Sequence, residues 1–186
     1  MLHGFMGAVQ SAYGYAQDLN KSLNDIRIVT GKSIEDMDAF AEKANKAARA
    51  LSSTTNEYAK ASLIYFQQGD TEAQAMEKAA ITTKMANVTG QNAQEVSNQL
   101  TAIWNNFNKD GDIAYEHFAD VLTKLGAATA SSTDEIAGGL EKFAAVAETI
   151  GLSYDYAAAA LATITSNTRE SEEVVGTALK TIFARI

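Results

Sequence analysis

Val96-Ser97-Asn98-Gln99-Leu100-Thr101-Ala102-Ile103-Trp104-Asn105-Asn106-Phe107 carries the pattern that decides the fold. Val96, Leu100, Ile103, Trp104 and Phe107 stand at i, i+4, i+7, i+8 and i+11. At that spacing they share one face of an α-helix, which predicts an amphipathic helix with this stripe in the core. Asn92, with Glu95 three residues later, is a start signal for it. The stripe returns at Val175, Leu179, Ile182, Phe183 and Ile186, each 79 residues further on. These residues, up to Phe183, are the predicted packing set of a second helix.

Upstream, the correspondence continues. Thr55-Asn56-Glu57-Tyr58-Ala59 pairs with Thr133-Asp134-Glu135-Ile136-Ala137, and Gly69 pairs with Gly151. The segments between these markers differ by four residues, about one helical turn. Residues of about 55–107 and 133–186 therefore read as two copies of one three-helix unit, joined by a helix at 113–125 that stops at Gly126. Ahead of them, residues 1–30 form an N-terminal helical segment. Residues 31–186 read as one helical domain, giving eight or nine helices in all.

The composition agrees with an all-α chain. It holds no proline in 186 residues, where an average chain of this length would hold about nine. Proline removes a donor and clashes with the preceding turn, so helix interiors exclude it. There are 34 alanines, the strongest helix formers. Start and stop signals divide the chain. Thr30-Gly31-Lys32 precedes Ser33, an N-cap with Asp36 at the capping-box position; Ile34, Met37, Phe40, Ala44, Ala48 and Leu51 then follow at helical spacing. Asp70 or Thr71 caps a helix expected to turn Ala73, Met76, Ala80 and Thr83 inward. Ser132 or Thr133, Ser153 and Ser171 open the last three helices.

Net charge −8 and a pI near 4.7 disfavour direct nucleic-acid binding, which needs clustered Lys and Arg. The short basic group Lys43, Lys46, Arg49 is interleaved with acids and reads as a solvated stripe. With no cysteine there are no disulfides, thiolates or sulfur-ligated zinc. Met1 to Gln17 carries no Asp, Glu, Lys or Arg, but Gln10, Ser11 and its glycines make it too polar for a signal peptide or a bilayer span.

One loop imitates a calcium site. With Asn106 as position 1 of an EF-hand loop, Asn108 and Asp110 fall at ligand positions 3 and 5, Gly111 at 6, Asp112 at 7 and His117 at 12. The bidentate glutamate required at 12 is missing and position 1 is neutral, so the segment reads as a polar turn, without metal. Histidine occurs only as His3 and His117, leaving few bases for a nucleophile. Gly138-Gly139 lies within a helical pattern and reads as a place of close helix approach. No enzyme and no cofactor are expected. Leu2, Phe5, Met6, Val9, Tyr13 and Tyr15 make an apolar end suited to self-association or to a membrane surface.

Several phrases carry a resemblance: Ala39-Phe40-Ala41-Glu42-Lys43-Ala44-Asn45, Leu51-Ser52-Ser53-Thr54-Thr55, Leu63-Ile64-Tyr65-Phe66-Gln67-Gln68-Gly69, Lys84-Met85-Ala86-Asn87-Val88-Thr89-Gly90, the stripe segment quoted first, and Ser171-Glu172-Glu173-Val174-Val175-Gly176-Thr177-Ala178-Leu179-Lys180. In this order, over about Leu19 to Ile186, they resemble the core region of phage tail tape measure proteins. The resemblance implies a helical scaffold around which the tail tube polymerises, so that chain length sets tail length. It implies residence in the tube lumen of the virion, after assembly in the bacterial host cytoplasm. The implied partners are the tail tube protein, tail assembly chaperones and tail-tip proteins. Such proteins are usually much longer, so a fragment, an excised domain or a prophage remnant is expected. Small residues dominate 71–88 and 154–167 and bury little area each, which predicts a marginally stable fold able to rearrange. The rival readings are a membrane-active, pore-forming helical protein and a tail-associated cell-wall hydrolase region.

Overall fold

The computed structural model describes the backbone of residues 2–108 and 113–185, and side chains from residue 9 onward within those ranges. Among the described residues there are nine α-helices and no strand: α1 (Leu2–Thr30), α2 (Ile34–Ala50), α3 (Thr55–Gln67), α4 (Glu72–Thr89), α5 (Ala93–Phe107), α6 (Tyr115–Ala128), α7 (Thr133–Thr149), α8 (Tyr154–Thr168) and α9 (Glu172–Phe183). The all-α expectation holds.

The start signals act as the sequence implies. Ser33 Oγ accepts from the Asp36 N–H at 3.1 Å while Asp36 Oδ2 accepts from the Ser33 N–H at 3.1 Å, a complete capping box. Ser132 and Glu135 form a second one before α7. Thr54, Ser153 and Ser171 cap α3, α8 and α9 through their side chains. At the joints after α1, α3, α4 and α7, Gly31, Gly69, Gly90 and Gly151 take φ of +66°, +88°, +75° and +77°. That left-handed conformation ends the helix before it, and a Cβ would strain it.

By contact, the chain separates into two units, Met1–Asn87 with Asn92–Gln94, and Val88–Gln91 with Glu95–Ile186. This division falls near the start of α5 and not at residue 30.

In the first unit α3 is the central element: ten of its thirteen residues are buried. α1 and α2 both pack on it. Phe40 and Phe66 meet edge to face, with ring centroids 5.7 Å apart. The buried polar groups on this seam are paired, since the Ser22 hydroxyl donates to Asn56 Oδ1 at 2.8 Å and Asn45 Nδ2 donates to Thr55 Oγ1 at 2.8 Å. α4 is fastened by Tyr58, whose hydroxyl donates to the Met76 carbonyl at 2.5 Å. The stripe expected on α4 is displaced. Ala75, Ala79, Thr82, Thr83, Met85 and Ala86 are buried, while Ala73 is exposed and Met76 and Ala80 are half-buried. Small residues lie on every face of this helix, so its sequence does not mark one side. Ile34, assigned to the α2 stripe, is exposed because it stands in the first turn.

In the second unit α7 contacts α6, α8 and α9. α7 and α9 meet backbone to backbone. A Cβ built on Gly176 would lie 2.6 Å from the Gly139 carbonyl oxygen, and one on Gly139 would lie 2.6 Å from Leu161 Cδ2. The glycine pair thus admits α9 and α8 to α7 at a distance no larger residue allows. Gly126 does not stop α6, which continues to Ala128. Its missing side chain makes room for α7 instead, since a Cβ there would fall 2.3 Å from Thr133 Oγ1.

Candidate interaction surfaces

The predicted packing residues divide. Val96, Leu100 and Ile103 are fully buried, and Val175 and Leu179 nearly so. Trp104, Phe107 and Phe183 are half-buried. Ile182 departs from expectation. It is 57 % exposed and shares an open face of α9 with Val174, Thr177, Ala178 and Thr181. The stripe identifies the apolar side of α9, but α7 covers only part of that side.

Trp104 and Phe107 lie in an aromatic cluster within the second unit. Trp104 meets Tyr115 at a tilt, with ring centroids 5.1 Å apart, and Phe118 edge to face at 5.3 Å, and Phe107 meets Tyr154 at 5.7 Å. The Tyr154 ring lies 4.3 Å from that of Phe118, and its buried hydroxyl donates to the Phe118 carbonyl at 2.7 Å. Burial, reinforced by the neighbouring Asp155 charge, holds this phenol well above its ordinary pKa. At the rim His117 Nε2 lies 2.7 Å from Asp155 Oδ1, with both side chains substantially exposed. His117 therefore bridges the first turns of α6 and α8.

The calcium-like loop is only partly described. Asp110 and Asp112 lie outside the described residues. Asn108 Oδ1 accepts from the Ile113 N–H at 2.8 Å, and Asn106 Nδ2 donates to the Ala102 carbonyl at 2.7 Å. Asn106 thus bonds within α5, and Asn108 bonds the backbone at the start of the next segment. Among the described residues no three His, Asp or Glu side chains are grouped to share a metal ion.

Polar chemistry in the first unit centres on Glu72, at the start of α4. It pairs with Lys32, from the turn after α1, and with Lys43 of α2 at 2.6 Å. The Lys32 hydrogen bond first, then that of Lys43, lowers the Glu72 pKa. Lys43, read from sequence as part of a solvated stripe, is an ion-pair partner of α4. Lys78 pairs with Asp70 at 2.7 Å and sits 5.8 Å from the Tyr65 ring centroid. These contacts brace one helix against another.

The remaining feature is uncovered apolar surface. On α1, Val9, Tyr13 and Tyr15 are 53 %, 65 % and 41 % exposed. The first fully or nearly buried residues along the described part of this helix are Ser22 and Ile26. The candidate functional features of this chain are thus exposed apolar helix faces. The sequence identified the apolar residues of α1 but could not show that Val9, Tyr13 and Tyr15 stay uncovered; Leu2, Phe5 and Met6 lie outside the described side chains.

Residues 42–186 match the family model described as phage-related minor tail protein. No solved structure matches the chain.

Proposed function

The chain belongs to the phage-related minor tail protein family, and from that membership we propose that it is a tail scaffold of the tape-measure kind. In this reading it sets tail length, occupies the tube lumen and has no catalytic role. Its partners are the tail tube protein, the assembly chaperones and the tail-tip proteins. It is made and assembled in the host cytoplasm and remains in the virion.

The match over 42–186 carries the proposal. Three physical features are consistent with it. The chain is helical throughout its described length apart from short joints. It lacks proline entirely. Its polar contacts brace helices against one another.

Tail length provides the test. An in-frame duplication of a helical segment in the phage gene should lengthen the tail by about 1.5 Å for each added residue. Electron microscopy of the assembled particles measures this directly. Tails of unchanged length would remove the length-setting role and leave a minor tail component of another kind. Reading the DNA on both sides is a simpler first step, since a frame continuing as a long helical chain among tube and tip genes favours the same conclusion.

A further inference from the structure

Among the described residues only Ser52 and Arg169 hold a left-handed backbone without being glycine, at φ +55° and +58°. Arg169 ends α8. It stands 79 residues after Gly90, which follows α4 at φ +75°. The same kind of joint is thus built with glycine in one place and arginine in the other. Glycine adopts this conformation freely, whereas a Cβ crowds the following carbonyl oxygen. Arginine is instead among the strong helix formers. The turn is made against the preference of the residue that makes it.

The sequence around the joint suits a helix. From Ser166 to Val174 it holds neither glycine nor proline. Tyr154, Ala158, Leu161, Thr165 and Thr168 of α8, then Glu172, Val175, Leu179 and Ile182 of α9, are spaced 4, 3, 4, 3, 4, 3, 4 and 3 residues apart. Tyr154, Ala158, Leu161, Thr165, Val175 and Leu179 are all buried. Helices that meet at a turn need not share a register, yet one helix drawn through this joint would keep both buried faces on one side. In that helix Arg169 would lie one turn before Glu172 and Glu173, at i+3 and i+4, where opposite charges attract.

Two sets of contacts hold the bend. Arg169 Nη1 donates to the Ala130 carbonyl at 3.1 Å, which ties the joint to the turn between α6 and α7. α9 is seated on α7 by the close approach of Gly176 to Gly139 and by the Phe143 and Phe183 rings, 5.5 Å apart. We infer that the α8–α9 joint is a sprung hinge: α9 lifted from α7 continues α8 as one helix from Tyr154 to Phe183. The seating of α9 is what holds Arg169 left-handed. Without it α8 is already a nucleus, so adding turns costs only propagation and not nucleation. The joint at Ser52 lacks this bias, because Ser52, Ser53 and Thr54 are weaker helix formers and Thr54 caps α3. The inference does not rest on the tail-length reading and stands or falls separately.

Double electron–electron resonance on the full chain tests it. The protein has no cysteine, so Ala159→Cys and Thr181→Cys, both at exposed positions, put one spin label on each helix. With no further change the labels should give one short distance, because α8 and α9 both pack on α7. Gly176→Leu denies α9 its seat. It should move the distribution to a peak at about 33 Å, the span from 159 to 181 in a continuous helix. Adding Arg169→Gly should turn that peak into a broad distribution, because glycine accepts the turn and weakens the helix. Trp104, whose ring lies against Tyr115 and Phe118, should keep its wild-type emission and so report that the aromatic cluster is intact. Should Gly176→Leu disturb that emission, Val175→Asp unseats α9 without added bulk and should give the same peak. A broad distribution with Arg169 in place overturns the inference, as does a peak equally sharp with Arg169→Gly. A distance that neither unseating variant changes overturns it too.

Discussion

The Tyr154 hydroxyl donates to the Phe118 carbonyl across 2.7 Å, while their rings lie 4.3 Å apart. One residue of α8 thus fixes both the height and the rotation of α6, with the polar bond protected by the aromatic contact around it. Tyr154→Phe keeps the ring and removes the donor. It should cost about 1 kcal/mol in urea unfolding, whereas Tyr154→Ala should cost about 3–5 kcal/mol by emptying the cluster.

Alkaline pH should act through a buried tyrosine of the first unit. Tyr58 is buried, and desolvation pushes its pKa up to about 12. The folded value exceeds the unfolded one, so the neutral phenol contributes its full stability below pH about 10. That contribution should drain away as pH climbs towards 12. Tyr58→Phe should remove this part of the alkaline loss, seen as a flatter stability profile above pH about 10.

On the acid side the dependence runs the other way. The Glu72 carboxylate is held below its ordinary pKa by Lys32 and Lys43. Its stabilisation is present above the unfolded carboxylate value, about 4.3, and is lost as pH falls through the lowered folded value. Glu72→Gln should cost under about 1 kcal/mol at neutral pH, since the pair is partly solvated. The gap between variant and wild type should close in acid denaturation profiles below pH about 4.

Two glycine-to-alanine changes should have opposite signs. Gly176→Ala forces a methyl to within 2.6 Å of the Gly139 carbonyl oxygen, which the backbone cannot absorb. A loss of about 1–3 kcal/mol is expected in thermal or urea unfolding. At Gly14 a Cβ meets nothing within 4 Å. Gly14→Ala should favour the helix by about 0.5–1 kcal/mol and raise the helical signal.

Thr83 is fully buried on α4, and its hydroxyl has no hydrogen-bond partner in the protein. Valine keeps the shape and discards the polar atom. Thr83→Val should raise stability by about 1 kcal/mol, measurable as a higher midpoint in urea.

Much of the fold was legible in the sequence because helix ends are chemically marked. Ser33 with Asp36 and Ser132 with Glu135 form the capping boxes that their spacing implies. The α5 stripe was legible because large side chains occupy one face only. On α4 the small residues are distributed all around, and only the Tyr58 bond to Met76 and its neighbours decide which side turns inward. Gly126 misled because sequence shows a weak helix former but not Thr133 approaching it. Ile182 misled because a stripe identifies what is apolar, not how much of it a neighbour reaches. The α1 surface stayed hidden for the same reason, since Val9 and Ile26 look alike in sequence and differ only in what packs on them.

The left-handed glycines at Gly31, Gly69, Gly90 and Gly151 have a kinematic consequence. Each joint is a few dihedral angles wide, and the helices beside it are separated only by short turns. Swinging one such glycine from positive to helical φ, with its immediate neighbours, would splice the two flanking helices into one continuous helix. No proline stands anywhere in the chain to block the splice. Fully spliced, 186 residues would measure about 280 Å end to end. At these four joints the bend is therefore held by the conformation of a single residue type rather than by a missing backbone donor.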